Sequence, residues 1–131
     1  MMRDDYIGRQ IAALAAFVAK LIGKKRSPEE AAAEAQAAGL VGLDLDLAAQ
    51  LPIGVILNLL TTAHGLDADR AMALGLGLAL RARAAEGDPL RVITLATLAM
   101  ALVEQAVAAR PRLDDTDVQA VLADLLESRT R

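Results

Sequence analysis

The chain contains no cysteine and no tryptophan, and only one tyrosine, one phenylalanine and one histidine in 131 residues. Without cysteine there is no disulfide framework, no thiolate metal site and no cysteine nucleophile, and the redox compartment stays open. So few aromatics leave almost no rings for stacking on bases. One histidine cannot build a histidine-rich metal centre, which takes several ligands. Neither sign of charge dominates. A net charge of −3 and a pI near 5.1 give no global attraction to nucleic acid or to anionic membranes.

What is present is alanine, leucine, valine and isoleucine. Hydrophobic residues make up 55% of the chain but aromatics only 2%, so the apolar mass is aliphatic and weighted toward strong helix formers. The fold class expected is all-α: a compact bundle of about six to seven helices. The length fits one domain over 1–131, with 1–3 and 128–131 expected to fray. Such a chain buries roughly two-thirds of its unfolded surface, enough for a core without staples.

The start, Met1-Met2-Arg3-Asp4-Asp5, carries acids where a secretory signal has a basic region. A cytoplasmic location is therefore expected. Mean hydropathy is +0.37, and the uncharged run Leu47 to Leu66 approaches the ~20 residues that span a bilayer. It holds Gln50, Pro52, Asn58, Thr61, Thr62 and His64, and a helix start lies inside it. A hydrophobic bundle is the better account of it than a membrane span.

The first helix is expected from about Asp5 to Ile22. It places Ile7, Ile11, Leu14, Phe17, Val18, Leu21 and Ile22 on one arc, with an alanine flank at Ala12, Ala15 and Ala19. Gly23 is its expected stop. Ser27-Pro28-Glu29-Glu30 reads as a capping box with proline in the first turn, opening a helix that exits at Gly39. This second helix offers almost nothing larger than alanine and must pack closely or weakly. Leu43, Leu45 and Leu47 alternate with Asp44 and Asp46 in strand fashion. With no partner strand nearby, a loop and a short helical turn over Asp46 to Gln50 are expected. A further helix should run from Pro52 to about His64-Gly65.

Asp67 to Ala109 reads as a helical hairpin broken once, at Gly87-Asp88-Pro89. Asp67 caps the first member, Ala68 to Glu86, in which Met72, Leu76 and Leu80 oppose Leu74 and Leu78. A helix apolar on two sides is a sandwiched one. Gly75 and Gly77 each cost about 1 kcal/mol of helix propensity, and close backbone packing is the expected compensation. The second member runs from Pro89 to Ala109 and is apolar over more than half its circumference. Pro111 bars continuation. The last helix follows Asp114 or Asp115 and turns Val118, Val121, Leu122, Leu125 and Leu126 inward.

Asp5-Tyr6-Ile7-Gly8-Arg9-Gln10-Ile11 resembles the opening of a family of small bacterial helical proteins of unknown function. That family begins with a D-Y-I-x-R-x-I helix and continues into tetratricopeptide-like hairpins. The likeness extends to Glu29-Glu30-Ala31, to Gly42-Leu43-Asp44 and to the final helices, nearly the whole chain, on motifs of low specificity. The resemblance implies an all-helical fold and supplies no catalytic residues. Its tetratricopeptide part centres on Gly87-Asp88 as the inter-helix turn, with Leu76 and Ala99 at compatible positions. Pro89 stands where an aromatic follows the turn, and no second copy recurs at 34 residues.

The candidate chemistry resolves into structural roles. His64 before Gly65 suits a helix end. The pairs Asp44/Asp46 and Asp67/Asp69 and the triple Asp114/Asp115/Asp117 lack calcium-loop spacing and precede helices, where aspartate caps. Lys20, Lys24, Lys25 and Arg26 form the one basic cluster and read as a solvated helix end. Gly75 and Gly77 lack the G-K-[ST] of a phosphate loop, and the serines are poor nucleophile candidates: Ser27 caps a helix and Ser128 sits in the tail.

No catalytic, cofactor-binding or metal-binding residue is expected, and neither nucleic acid nor a membrane as partner. Several helices carry apolar arcs wider than one neighbour covers, so a protein partner, first of all a second copy of the chain, is the expected ligand. Tyr6, Ile7, Ile11, Leu14, Phe17 and Val18 are the candidate self-association surface. The alternative is a carrier of a small apolar ligand or lipid, its pocket lined by Met72, Met100 and the surrounding leucines.

Overall fold

Ten consecutive residues, Ala71 to Leu80, are buried without a break. They form the middle of α5 (Ala68–Ala84) in a computed structural model, which describes residues 2–21, 24–111, 113 and 116–130. Around this helix the described residues form α1 (Met2–Ala19), α2 (Glu29–Val41), α3 (Leu45–Ala49), α4 (Ile53–Leu59), α6 (Pro89–Ala109) and α7 (Thr116–Thr130). A two-residue antiparallel ladder, β1 (Thr61–Thr62) with β2 (Gly65–Leu66), is the only sheet among them. The fold is all-α. Met1 and Arg131 lie outside the described residues, as do the side chains of 2–5 and 128–130.

The two opposed leucine stripes of α5 are both covered. Its largest contact is with α6, its next with α2, and α1, α3 and α7 complete the enclosure. The glycines set the distance on two sides. A Cβ on Gly75 would stand 2.7 Å from Val103 Cγ2 and 3.2 Å from the Ala99 carbonyl of α6. One on Gly77 would stand 3.0 Å from Leu45 Cδ2 and 3.1 Å from Ala37 Cβ, on α3 and α2. The expected compensation for helical glycine is therefore present: two neighbours approach where a side chain is missing.

Aspartates start the helices. Asp44 accepts from the Asp46 N–H at 3.0 Å, Asp67 from Arg70 N–H at 3.2 Å and Asp88 from Arg91 N–H at 3.3 Å. Capping removes the apparent strand at Leu43 to Leu47, since Asp44 leaves the chain extended for one residue before α3 begins. α6 has the predicted bounds, with Pro89 in its first turn. Gly87 and Asp88 do turn the chain between α5 and α6, but nothing in this hairpin carries the tetratricopeptide likeness further.

Four expectations change. α1 ends at Ala19, short of the expected stop; Ile22 and Gly23 lie outside the described residues. α2 passes through Gly39 and ends at Gly42, whose φ of 77° is left-handed and whose N–H bonds the Ala38 carbonyl at 2.9 Å. Val41, 1% exposed, is the anchor that carries the helix past Gly39. α4 stops at Leu59 because threonine hydroxyls offer its backbone other bonds. Thr61 donates to the Leu57 carbonyl at 2.6 Å and Thr62 to that of Gly65 at 3.0 Å, turning the chain back through Gly65 at φ 103°. The uncharged run Leu47 to Leu66 is thus two short helical pieces and a hairpin. Finally, α6 is buried along one face only, through Val92, Leu95, Ala96, Ala99, Leu102, Val103 and Ala106, while Leu90 is 75% exposed.

Gly75→Ala should destabilise the fold by about 1–3 kcal/mol through overpacking, despite alanine's better helix propensity. Gly39→Ala, with open space around its Cβ, should instead stabilise by up to about 1 kcal/mol. Urea unfolding of the two variants checks the opposite signs.

Candidate functional site

The residues that meet α5 along α2 are Glu30, Glu34, Ala37 and Val41, spaced for one helical face. They run antiparallel to Arg83, Arg81, Gly77 and Arg70. Ala37 and Gly77 meet almost backbone to backbone, and the three arginines make the polar contacts. Arg70 Nε donates to the Val41 carbonyl at 2.8 Å, which satisfies the C-terminal end of α2. Arg81 pairs with Glu34 at 3.0 Å and with Asp46 of α3. Arg91, at the start of α6, stands 3.8 Å from the same Asp46 carboxylate. The Arg81 to Glu34 contact is a charge pair without hydrogen-bond alignment, since Glu34 Oε1 has no hydrogen-bond partner.

Arg83 and Glu30 form the most deeply buried polar group, 8% and 0% exposed. Arg83 Nε and Nη2 donate to the two Glu30 oxygens at 2.6 and 3.1 Å, the bidentate fork of a guanidinium on a carboxylate. Two further N–H groups go to backbone carbonyls, Nη1 to Leu21 at 3.2 Å and Nη2 to Lys24 at 3.0 Å. Glu30 also accepts the Ser27 N–H at 2.8 Å. One half of the expected capping box is therefore present, while the Glu30 N–H bonds the Ser27 carbonyl at 3.1 Å rather than its hydroxyl. Together these bonds pin the connection between α1 and α2 onto α5. Burial alone would push the Glu30 carboxyl up. Hydrogen bonds from Arg83 and Ser27, with the charges of Arg83 and Arg26, outweigh it and hold the group below its ordinary value.

Every polar atom of the Arg83–Glu30 pair is turned inward and has a hydrogen-bond partner, so the pair latches the α1–α2 connection to α5. His64 does not sit at a helix end as expected. It lies exposed in the turn between β1 and β2, its N–H donating to Thr62 Oγ1 at 3.1 Å. No group of three or more metal-ligating side chains occurs among the described residues. Asp69, one of the paired acids, reaches Arg110 at 2.6 Å and ties the start of α5 to the end of α6. Asp114 and Asp115 lie outside the described residues.

Three recesses among the described residues bear on the candidate roles. One of about 460 Å³ is bounded by Asp46, Arg81, Gly87, Asp88 and Arg91 at the α5–α6 turn. Another of about 300 Å³ lies across the Arg81–Asp46 contact, between α2 and α3. The third, about 340 Å³, runs between α1 and α7 over Met72, lined by Ile11, Ala12, Ala15, Ala16, Ala19 and Val118, with Asp117 at its edge. Met100 is not among its lining residues, so the two methionines expected to share one pocket do not meet there.

The six residues expected to form an association surface separate. Ile11, Leu14 and Val18 are buried in the core, because α1 turns this face onto α5 and α7. Ile7 and Phe17 are half-buried beside them, and Tyr6 alone is exposed. The remaining exposed large apolar side chains are Leu47 on α3, Val55 and Leu59 on α4, and Leu90 on α6.

The Arg83–Glu30 latch was missed in the sequence. Its signal was an arginine two residues past Arg81, inside a helix apolar on two sides, where a charge must find a buried partner. Comparison with known proteins adds no candidate role: no family model matches the chain, and neither a curated protein nor a solved structure does.

Arg83→Met should cost about 3–5 kcal/mol by stranding the Glu30 carboxylate, and the double variant with Glu30→Gln should cost less than the sum. The Glu30 carboxyl is lowered in the folded state, so its contribution is complete above the ordinary value of about 4.3 and is lost as pH falls below it. Acid unfolding of wild type and Glu30→Gln followed by circular dichroism should show a shallower acid limb in the variant.

Proposed function

We propose that the chain is a non-enzymatic helical interaction module whose first partner is a second copy of itself. The observation that carries this reading is α4. Ile56 and the capping Leu60 are fully buried, while Val55 and Leu59, about 100° round the same short helix, are 43% and 51% exposed. A helix apolar on two sides but covered on one leaves an apolar ridge that a partner can bury. No charged residue lies between Leu47 and Leu66, so this ridge meets an apolar surface without stranding an ion. The association surface therefore moves from α1, whose inner face is used within the fold, to α4. The resemblance to small bacterial helical proteins, a family of unknown function, adds no activity. A cytoplasmic setting belongs to the same reading.

A second reading has one observation in its favour. The recess over Met72 is lined almost wholly by apolar side chains, at the lower end of volumes that hold small ligands, ~300–1,000 Å³. A carrier of a small apolar molecule or lipid would use it. Native mass spectrometry decides: added mass that survives purification favours the carrier, and the bare chain mass disfavours it. α6 is also the one described helix long and apolar enough, by length and composition, to cross a membrane; its buried face here packs on α5 and α7.

Sedimentation equilibrium should give a mass above 13.7 kDa for wild type. Val55→Lys/Leu59→Lys should return the monomer mass with unchanged helicity. A monomeric wild type at high concentration overturns the reading.

A further inference from the structure

Lys20, Lys24, Lys25 and Arg26 are all exposed, and none enters an ion pair with another described residue. Arg26 lends its charge to the Glu30 surroundings without an ion-pair contact. This cluster is more than a solvated helix end, because its backbone is held. Arg83 takes the carbonyls of Leu21 and Lys24 inward, and Glu30 takes the Ser27 N–H. With these groups fixed, Lys24, Lys25 and Arg26 leave from a held stretch of backbone, which lowers the ordering cost of binding.

The opposite charge lies on α7. Asp117, Ala120, Ala123, Asp124 and Glu127 are exposed, while Val118, Val121, Leu122 and Leu125 face the core. Asp117 and Asp124 are seven residues apart, so they stand two turns and about 10 Å from each other on one stripe. The alanines between them let another chain approach. From Leu113 to Glu127 there are five acids and no lysine or arginine. The net charge of −3 is the +4 of the basic cluster set against −7 from the rest of the chain.

We infer that the acidic outer face of α7 in one copy docks on the basic residues Lys20, Lys24, Lys25 and Arg26 of another. This rests on the self-association reading and names a polar contact for it. Each copy carries both surfaces, so the contact can be made twice in a two-fold pair or once per copy in a ring. An anionic lipid surface is the less favoured occupant. Among the described residues the large apolar side chains beside the cluster are covered, Phe17 being half-buried and Leu21 buried, and the remaining −7 would be repelled.

The test is a charge swap read by sedimentation equilibrium at about 25 mM and about 500 mM salt, where screening differs strongly. Wild-type association should weaken at the higher salt. Lys24→Glu/Lys25→Glu and Asp117→Lys/Asp124→Lys should each associate on the order of tenfold more weakly than wild type. An equimolar mixture of the two should recover the association, because each reversed surface then meets its complement. Asp124→Lys alone, which leaves the first turn of α7 untouched, should show part of the loss, and circular dichroism should show that all variants keep their helicity. If wild type is oligomeric and the lysine variant matches it, or the mixture recovers nothing, this inference fails while self-association stands. If wild type is monomeric at both salts, both fail. Sedimentation of a monomeric wild type with phosphatidylserine vesicles, lost in the lysine variant, would assign the cluster to lipid and overturn the inference.

Discussion

The structure depends on how closely α2, α3 and α6 approach the backbone of α5. A helix buried on every side must be reached from all directions within one small domain, and bulky side chains all round would hold the neighbours too far apart. Gly75 and Gly77 remove the obstacle on two sides, one toward Val103 and Ala99, the other toward Ala37 and Leu45. The leucines then fill the spaces left between these contacts. Helix propensity is lost at both glycines, and dispersion contacts between close-packed backbones offset it.

That arrangement explains why α2 needs charge. Its apolar content is mostly alanine, and little of its transfer free energy comes from large side chains. Contact at Ala37 and Gly77 brings it close, while Arg70, Arg81 and Arg83 fix where it lies along α5. A buried ion pair is an uncertain source of net stability, since desolvation opposes its attraction. What the Arg83–Glu30 pair supplies is register: the Glu30 carboxylate of α2 and two carbonyls of the α1–α2 connection converge on one guanidinium, and only one placement of α2 satisfies them all. The same bonds order the chain beside the exposed lysines, so a core interaction sets the position of a surface.

Much of the fold was legible from local rules. Opposed leucine stripes identified α5 as a sandwiched helix, and aspartate caps with Pro89 fixed the starts of α3, α5 and α6. The misplaced ends had long-range or competing causes. Gly39 looked like a stop, but burial of Val41 carried the helix to Gly42. α4 looked long enough to reach His64, but Thr61 and Thr62 bonded carbonyls and closed a hairpin. The apolar arc of α1 was read correctly as an arc and wrongly as a surface, because periodicity shows that a face is apolar without showing what covers it. The latch was invisible for the same reason: Glu30 and Arg83 are 53 residues apart, and no local pattern joins them. The α4 ridge became visible only once the core had claimed its share, whereas the basic cluster from Lys20 to Arg26 was already legible in the sequence.

The central claim is that α5 is the structural centre and that the other helices are stabilised by covering it. Amide hydrogen exchange resolved by residue tests it most directly, because it reports the free energy of opening at each position. The amides of Ala71 to Leu80 should exchange slowest of all, only through global unfolding, with α4 and the Thr61–Leu66 hairpin opening first. Exchange from α5 that is as fast as from α4, or faster than from α1 and α7, would contradict it.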